Sequence, residues 1–192
     1  MDAFLISTGI VALAEIGDKT QLLAFLLAAR FRRPLPIVLG IFVATIANHA
    51  FAAAAGTLVA RLLGPDAMRW VLGIAFLAMA AWIMVPDTID EDDEPAPARL
   101  GVFATTVLAF FFAEMGDKTQ VATVALAARY ASLPLVVAGT TFGMMLANVP
   151  AVLFGDRIAG RVPLQLVHGC AALIFIALGV ATLLGAGSNL GF

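Results

Sequence analysis

The sequence predicts an all-α integral membrane protein with six transmembrane helices, arranged as two inverted repeats of three helices each. Three observations predict it: the composition, six long apolar segments, and an internal repeat. Of the 192 residues, 62% are hydrophobic and 12% are charged, whereas soluble domains have about 45–50% apolar and about 25% charged residues. A soluble chain of this size could not bury so much apolar surface, so lipid is the expected solvent for most of it.

A transmembrane helix needs about 20 mostly apolar residues. Six segments of the chain meet this requirement: Ala3–Ala29, Pro36–Val59, Met68–Val85, Leu100–Ala128, Pro134–Phe154 and Pro163–Leu184. The first segment follows no basic region and precedes no cleavage site, so we interpret it as a transmembrane helix rather than a secretory signal.

The internal repeat relates the two halves of the chain by an offset of 99 residues. The sequence AEIGDKTQ, which begins at Ala14, recurs as AEMGDKTQ from Ala113, and Phe76 matches Phe175 in the same register. Because three helices are an odd number, the second repeat is expected to cross the membrane in the opposite orientation, as in many secondary transporters. The predicted units are a first repeat at 1–85, a linker at 86–99 and a second repeat at 100–192.

The linker, PDTIDEDDEPAPAR, is acidic and rich in proline. This composition predicts a solvated connector without a packed core, although a loop that attracts or senses cations is an alternative. Arginines outside the helices indicate the orientation, because cytoplasmic loops are enriched in Lys and Arg. Six lie on the side that we expect to be cytoplasmic, namely Arg30, Arg32, Arg33, Arg99, Arg157 and Arg161. Both termini are therefore expected outside, across the plasma (inner) membrane if the protein is bacterial.

Both copies of the motif place ionisable residues in the middle of an apolar segment. These residues are Glu15, Asp18 and Lys19 in the first copy and Glu114, Asp117 and Lys118 in the second. An ionised side chain at the bilayer centre costs roughly 2.5–3.5 kcal/mol. The cost is tolerable only if the side chains face the interior, pair with one another, or bind an ion.

In a continuous helix, the acidic residues and the glutamine of each motif would share one face about 120° wide. The glutamines are Gln21 and Gln120. The lysines would lie beside that face and neutralise a carboxylate when no metal is bound, while Thr20 and Thr119 would point elsewhere, towards backbone carbonyls. The glycine of each motif would permit either close helix approach or a local break that exposes carbonyl oxygens.

Four carboxylates and two amide oxygens would form an oxygen-only shell, which suits a hard divalent cation such as Mn²⁺, Ca²⁺ or Mg²⁺. Asn48 and Asn148 would either add oxygens or form interhelical hydrogen bonds. His49 and His168 lie outside the motif. His49 is interpreted as a satisfied interior or pore-lining histidine, with a role as a ligand as the alternative. The single cysteine, Cys170, is expected to be a buried small hydrophobic residue.

Carboxylates also bind protons, so a site that holds protons and a metal in turn would be sufficient for an antiporter. The structural alternative is a pair of buried salt-bridge clusters that only hold the bundle together. Buried ion pairs are weak stabilisers, which makes a repeated charged cluster an unfavourable way to do this.

The repeated motif resembles that of a known family. Two copies of Glu-x-Gly-Asp-Lys-Thr, one in the first helix of each half, are similar to the Gdt family of membrane cation transporters, and the resemblance covers nearly the whole chain. It implies cation/proton exchange with Glu15, Asp18, Glu114 and Asp117 as metal-binding carboxylates. It also implies manganese export, with calcium as the other ion that the family carries.

The leading functional hypothesis is therefore an exporter of Mn²⁺ or Ca²⁺ coupled to protons, working as a monomer or a homodimer in the bilayer. The alternative is an exporter of a small organic cation or amino acid, which would need an aromatic wall beside the carboxylates. Phe110–Phe112 precede the second motif but Val11–Leu13 precede the first, which favours a bare ion.

A non-transporting scaffold and a channel are further alternatives. We find no nucleophile–base pair, cofactor motif or basic patch, so an enzyme or a nucleic-acid partner is not expected.

Overall fold

The computed structural model describes residues 1–85, 100–130, 132–158 and 164–185, without the side chains of 155–158. In these residues the chain forms α-helices and no strands, which confirms the all-α class. The helices are α1 (Asp2–Glu15), α2 (Lys19–Phe31), α3 (Pro34–Leu62), α4 (Pro65–Trp82), α5 (Val102–Glu114), α6 (Lys118–Tyr130), α7 (Leu133–Ile158) and α8 (Leu164–Leu183). The predicted linker at 86–99 lies outside the described residues.

The first and fourth predicted segments are each two helices rather than one. Residues 16–18 separate α1 from α2, and residues 115–117 separate α5 from α6. The breaks contain Gly17, with φ of 86°, and Gly116, with φ of 77°, values that glycine adopts without a steric penalty. The local break that the sequence left open is confirmed, whereas the expectation of one continuous helical face across each motif is wrong.

Three of the described helices are long and apolar enough to cross a membrane alone: α3, α7 over Leu133–Phe154, and α8. The pairs α1–α2 and α5–α6 each contain enough helical residues, at 1.5 Å per residue, to match a hydrocarbon core of about 30 Å. Large apolar side chains such as Phe51 and Leu166 are exposed on the outer faces, which suits contact with lipid. Cys170 is exposed on α8, so the expectation that it is buried is wrong.

The helices bury two apolar clusters. The first joins α4 and α8 mainly to α1 and α6, and the second joins α2 and α5 to α3 and α7. Phe76 and Phe175, which the offset of 99 residues makes equivalent, are both fully buried in the first cluster, and their ring centroids lie 6.2 Å apart. The last helices of the two halves therefore pack against each other, and both lie on the side of α1 and α6.

Candidate cation site

The backbone of each motif turns out of one helix and into the next through the same hydrogen bond. The Gly17 N–H donates to Gln21 Oε1 at 2.9 Å, and the Gly116 N–H donates to Gln120 Oε1 at 2.7 Å. A glutamine in the first turn thus satisfies an amide that no helix can pair, as in a capping box. Each glutamine oxygen keeps one lone pair, so a role for both residues as cation ligands stays a prediction.

The four acidic residues of the motifs are all buried at these breaks. Glu15 and Glu114 end α1 and α5 and are 0% exposed, while Asp18 and Asp117 directly precede α2 and α6 and are 1% and 5% exposed. Glu15 is close enough to the other three carboxyl groups to interact with each of them electrostatically. The fold therefore brings together in one buried region two pairs of acidic residues that are 99 positions apart in the sequence.

Each glutamate is contacted by a helix of the opposite half of the chain. Asn148 Nδ2 of α7 donates to Glu15 Oε1 at 3.0 Å, and His49 Nε2 of α3 lies 3.6 Å from Glu114 Oε2. His49 and Asn148 are equivalent under the offset of 99 residues. The prediction that His49 is an interior histidine is confirmed, whereas the expectation that its hydrogen bonds are satisfied is wrong, because neither ring nitrogen has a hydrogen-bond partner among the described residues. Its alignment with Asn148 was the one signal that could have placed it beside a carboxylate.

Of the other polar residues that were predicted to support the site, one contacts a motif glutamate and another forms a hydrogen bond between helices. Thr119 Oγ1 donates to Glu114 Oε2 at 3.0 Å, so the expectation that it points towards a backbone carbonyl is wrong. Thr20 is fully buried and its Oγ1 has no hydrogen-bond partner among the described residues, so the expected bond to a backbone carbonyl is wrong for this residue too. Asn48 Nδ2 donates to the Phe111 carbonyl at 3.0 Å, which is the interhelical hydrogen bond that the sequence allowed as an alternative.

The two lysines occupy different environments. Lys118 is 1% exposed, and its Nζ lies 3.4 Å from Asp18 Oδ1 and 3.2 Å from the Val85 carbonyl. Its equivalent in the first motif, Lys19, is only partly buried. A cation of the second half therefore neutralises a carboxylate of the first half, and the site is not symmetric in this conformation.

The site as it stands is an anionic region rather than a closed metal cage. Within the described residues, no three His, Cys, Asp or Glu side chains converge closely enough to hold a metal ion. Oxygens without a hydrogen-bond partner among these residues include Glu15 Oε2, Glu114 Oε1 and Asp117 Oδ2. The C-terminal ends of α1 and α5 add carbonyl groups and the negative ends of two helix dipoles, which favour a cation at this point.

We expect Lys118→Met to destabilise the metal-free protein more than Lys19→Met does. Removing one partner of a buried ion pair leaves the other charge uncompensated and costs on the order of 3 kcal/mol, whereas Lys19 is only partly buried. The measurement is the thermal midpoint of each purified variant in detergent with a chelator present. Equal midpoints for the two variants would show that the Lys118–Asp18 pair does not stabilise this conformation.

Comparison with known proteins identifies the family of this chain. A family model described as "Divalent cation/proton antiporter GDT1" matches the chain twice, over residues 3–91 and 102–190. The chain is 51% identical over 183 residues, which are 95% of it and 90% of the relative, to a Vibrio cholerae protein described as a "putative manganese exporter". It is 28% identical over 200 residues, or 95% of it and 97% of the relative, to a GDT1-like protein of Synechocystis. No solved structure matches it significantly.

The family model and the Vibrio cholerae relative show that the chain belongs to the GDT1 family of divalent cation/proton antiporters. It is an integral membrane cation transporter and not an enzyme.

Proposed function

We propose that this protein exports a divalent metal cation, most readily Mn²⁺ and alternatively Ca²⁺, in exchange for protons. The observation that carries the proposal is the burial of Glu15, Asp18, Glu114 and Asp117 around two helix breaks. Carboxylate oxygens are hard ligands that suit Mn²⁺ and Ca²⁺, and they are also proton acceptors. A cation and protons would therefore compete for the same groups, which is the minimum that exchange requires.

The choice of manganese and of export has two further supports. The Vibrio cholerae relative, at 51% identity, carries a description that names manganese export. The structure also brings nitrogen and amide groups, from His49 and Asn148, against the two glutamates. A mixed set of donors of this kind is more common around transition metals than around Ca²⁺, which takes oxygen ligands.

We further propose that the two halves are inverted repeats that exchange roles during transport. Helix packing supports this, because α1 packs on α7 as α5 packs on α3, and α2 packs on α7 as α6 packs on α3. Other contacts are unequal: α8 packs on α1 and α4 packs on α6, while the exchanged pairs α4–α5 and α8–α2 have at most marginal contact among the described residues. A movement that exchanged these contacts would close one side of the site and open the other, which is alternating access.

The surroundings of the two helix breaks differ in the same sense. A Cβ atom added at Gly17 would lie 2.7 Å from Leu164 Cδ2, and His168 Nε2 lies 2.8 Å from the Ile16 carbonyl, so α8 covers the first break. A Cβ atom added at Gly116 would meet nothing within 4 Å among the described residues. In the exchanged state, we expect α4 to cover the second break and α8 to leave the first.

An organic cation or amino acid is a weaker candidate for the substrate. Such a ligand would need aromatic side chains beside the carboxylates, and the candidates are Phe110–Phe112. Phe110 is fully buried in the second apolar cluster and Phe112 is 65% exposed on the outer face of α5. These positions favour a bare ion.

One chain supplies all four carboxylates, so we propose that a single chain is a complete transport unit, either alone or within a homodimer. We also propose six membrane crossings with both termini outside. The arginines Arg30, Arg32 and Arg33 at the α2–α3 junction support this orientation, since cytoplasmic loops are enriched in Lys and Arg.

Purified protein in liposomes that contain a Mn²⁺- or Ca²⁺-sensitive dye tests the function. With an imposed pH gradient, we expect Mn²⁺ flux that a protonophore abolishes, and we expect added Mn²⁺ to dissipate the gradient in return. Protein-free liposomes measure leakage. Metal flux that is insensitive to the gradient would indicate a channel or uniporter, and an absence of any Mn²⁺ or Ca²⁺ flux from folded protein would contradict cation export.

A further inference from the structure

His49 is the most unusual buried side chain near the site. It lies within α3, is 0% exposed, and neither ring nitrogen has a hydrogen-bond partner among the described residues. Burying a polar group without a partner costs on the order of 1–3 kcal/mol. The nearest charged atom is Glu114 Oε2, 3.6 Å from Nε2, so the unsatisfied imidazole is directed at the anionic region.

The equivalent position in the other half bears a different chemistry. Asn148 Nδ2 donates to Glu15 Oε1 at 3.0 Å, while Asn148 Oδ1 has no partner among the described residues. The amide therefore orients its glutamate and presents an oxygen. The imidazole Nε2 lies 3.6 Å from its glutamate, which is an ion-pair distance rather than a hydrogen-bond distance, and it presents a nitrogen. The two repeats therefore offer the cation one nitrogen-containing and one oxygen-only environment.

The separation of His49 Nε2 from Glu114 Oε2 is close to that of two ligands of one ion. Adjacent ligands of an octahedral ion with bonds of about 2.1 Å lie about 3 Å apart. A shift of a few tenths of an ångström would bring this pair to that distance. Glu114 Oε1, which also has no hydrogen-bond partner among the described residues, is an additional donor beside them.

From this geometry we propose that His49 is a direct ligand of the transported ion, together with Glu114, and that it selects transition-metal ions such as Mn²⁺ over Ca²⁺. The inference rests on the proposed function and identifies its substrate class. Neutral imidazole is a common ligand of transition metals, whereas Ca²⁺ takes almost only oxygen ligands. In this conformation, no three His, Cys, Asp or Glu side chains among the described residues are close enough to hold a metal ion. In the proposed metal-bound state, the other motif carboxylates therefore move towards His49 and Glu114.

The test compares His49→Asn, Asn148→His and the double exchange in the proteoliposome assay, with Mn²⁺ and Ca²⁺ measured separately. His49→Asn gives the first half the residue that the second half has at the equivalent position, Asn148. We expect it to raise the half-saturating Mn²⁺ concentration at least about tenfold and to change that of Ca²⁺ less than about twofold. Asn148→His should increase the preference for Mn²⁺ over Ca²⁺. The double exchange, His49→Asn with Asn148→His, should return the preference to that of the wild type.

A purely structural role for His49 predicts something else. Suppose that the imidazole only orients Glu114. The amide of His49→Asn could then donate to Glu114 as Asn148 donates to Glu15, and the half-saturating concentrations of Mn²⁺ and Ca²⁺ would change equally or not at all. That result would contradict the proposal. If wild type transports neither ion, the proposed function itself fails. Wild-type flux with an unchanged ion preference in His49→Asn overturns only the role of His49.

A spectroscopic measurement keeps the proposal testable if His49→Asn does not fold. The chain has two histidines, so His168→Asn in protein without a histidine tag leaves His49 as the only imidazole. Pulsed electron paramagnetic resonance of the Mn²⁺-loaded protein should detect a ¹⁴N imidazole coupling in wild type and in His168→Asn. Absence of that coupling from Mn²⁺-loaded wild type would exclude direct ligation by His49.

Discussion

Replacing Glu114 by Gln is expected to reduce metal flux at least about 100-fold while the protein still folds. The amide has nearly the same shape and keeps an oxygen that can accept the hydrogen bond from Thr119, which lies 3.0 Å from the carboxylate in the wild type. It removes a charged ligand of the cation, and even residues that only support metal ligands typically contribute 10–100-fold to metal affinity, so about 100-fold is a lower bound. It also removes a group that can carry a proton. Metal flux and proton flux should therefore fail together, measured in proteoliposomes with an imposed pH gradient.

Two further variants make this result specific. Glu15→Gln should have a similar effect, because Glu15 occupies the equivalent position and is equally buried. Asp66→Asn is a matched control, since Asp66 is an exposed acidic residue in the first turn of α4, and it should leave the flux within about twofold of wild type. If Glu114→Gln retained more than about a tenth of the wild-type flux with a normal elution profile, the motif carboxylates would not be the transport site.

The second large effect is expected from Gly56→Ala, at a close contact between α3 and α6. A Cβ atom at Gly56 in α3 would lie 2.1 Å from the carbonyl oxygen of Val124 in α6 and 2.9 Å from its carbonyl carbon. No side-chain rotation can relieve a clash with backbone, so α3 and α6 would have to separate. Overpacking of this kind costs about 3 kcal/mol at the upper end of its usual range, and small residues are what permit such close helix contacts in membranes.

The measurement is the thermal midpoint in detergent, where we expect a fall of roughly 5–10 °C. Transport should also decline, because α6 begins at Lys118 and its displacement moves one side of the site. Gly169→Ala is the matched control, since a Cβ atom at Gly169 in α8 meets nothing within 4 Å among the described residues. Alanine should be neutral or slightly stabilising there. Equal midpoints for the two variants would contradict the close α3–α6 contact.

These expectations place substrate binding and helix packing in one structural unit. α3 carries both His49, beside Glu114, and Gly56, against α6, and α6 begins directly after Asp117. A change at the cation site and a change in the α3–α6 contact are therefore mechanically connected. In a transporter, this connection would allow occupation of the site to bias the helix arrangement.

The class of protein, the internal repeat and the candidate site residues could all be predicted from the sequence alone. Composition and apolar segment length depend only on which residues occur and in what order, so they predict a membrane protein directly. The four carboxylates could be identified for the same reason, because a repeated acidic motif inside apolar sequence is costly unless it binds or pairs. The glycines of the motifs also indicated a possible helix break, although not that it occurs.

Which residues of one half meet those of the other could not be predicted from the sequence and is known from the packing of the helices. The contacts of Glu15 with Asn148, of Glu114 with His49 and of Asp18 with Lys118 join residues that are 133, 65 and 100 positions apart. Such contacts depend on how rigid helices pack, and no local propensity encodes helix packing. The same is true of the unequal environments of Lys19 and Lys118, which equivalent sequences cannot distinguish. The repeat therefore specifies two similar sets of polar side chains, while packing of the helices gives the two sets different surroundings.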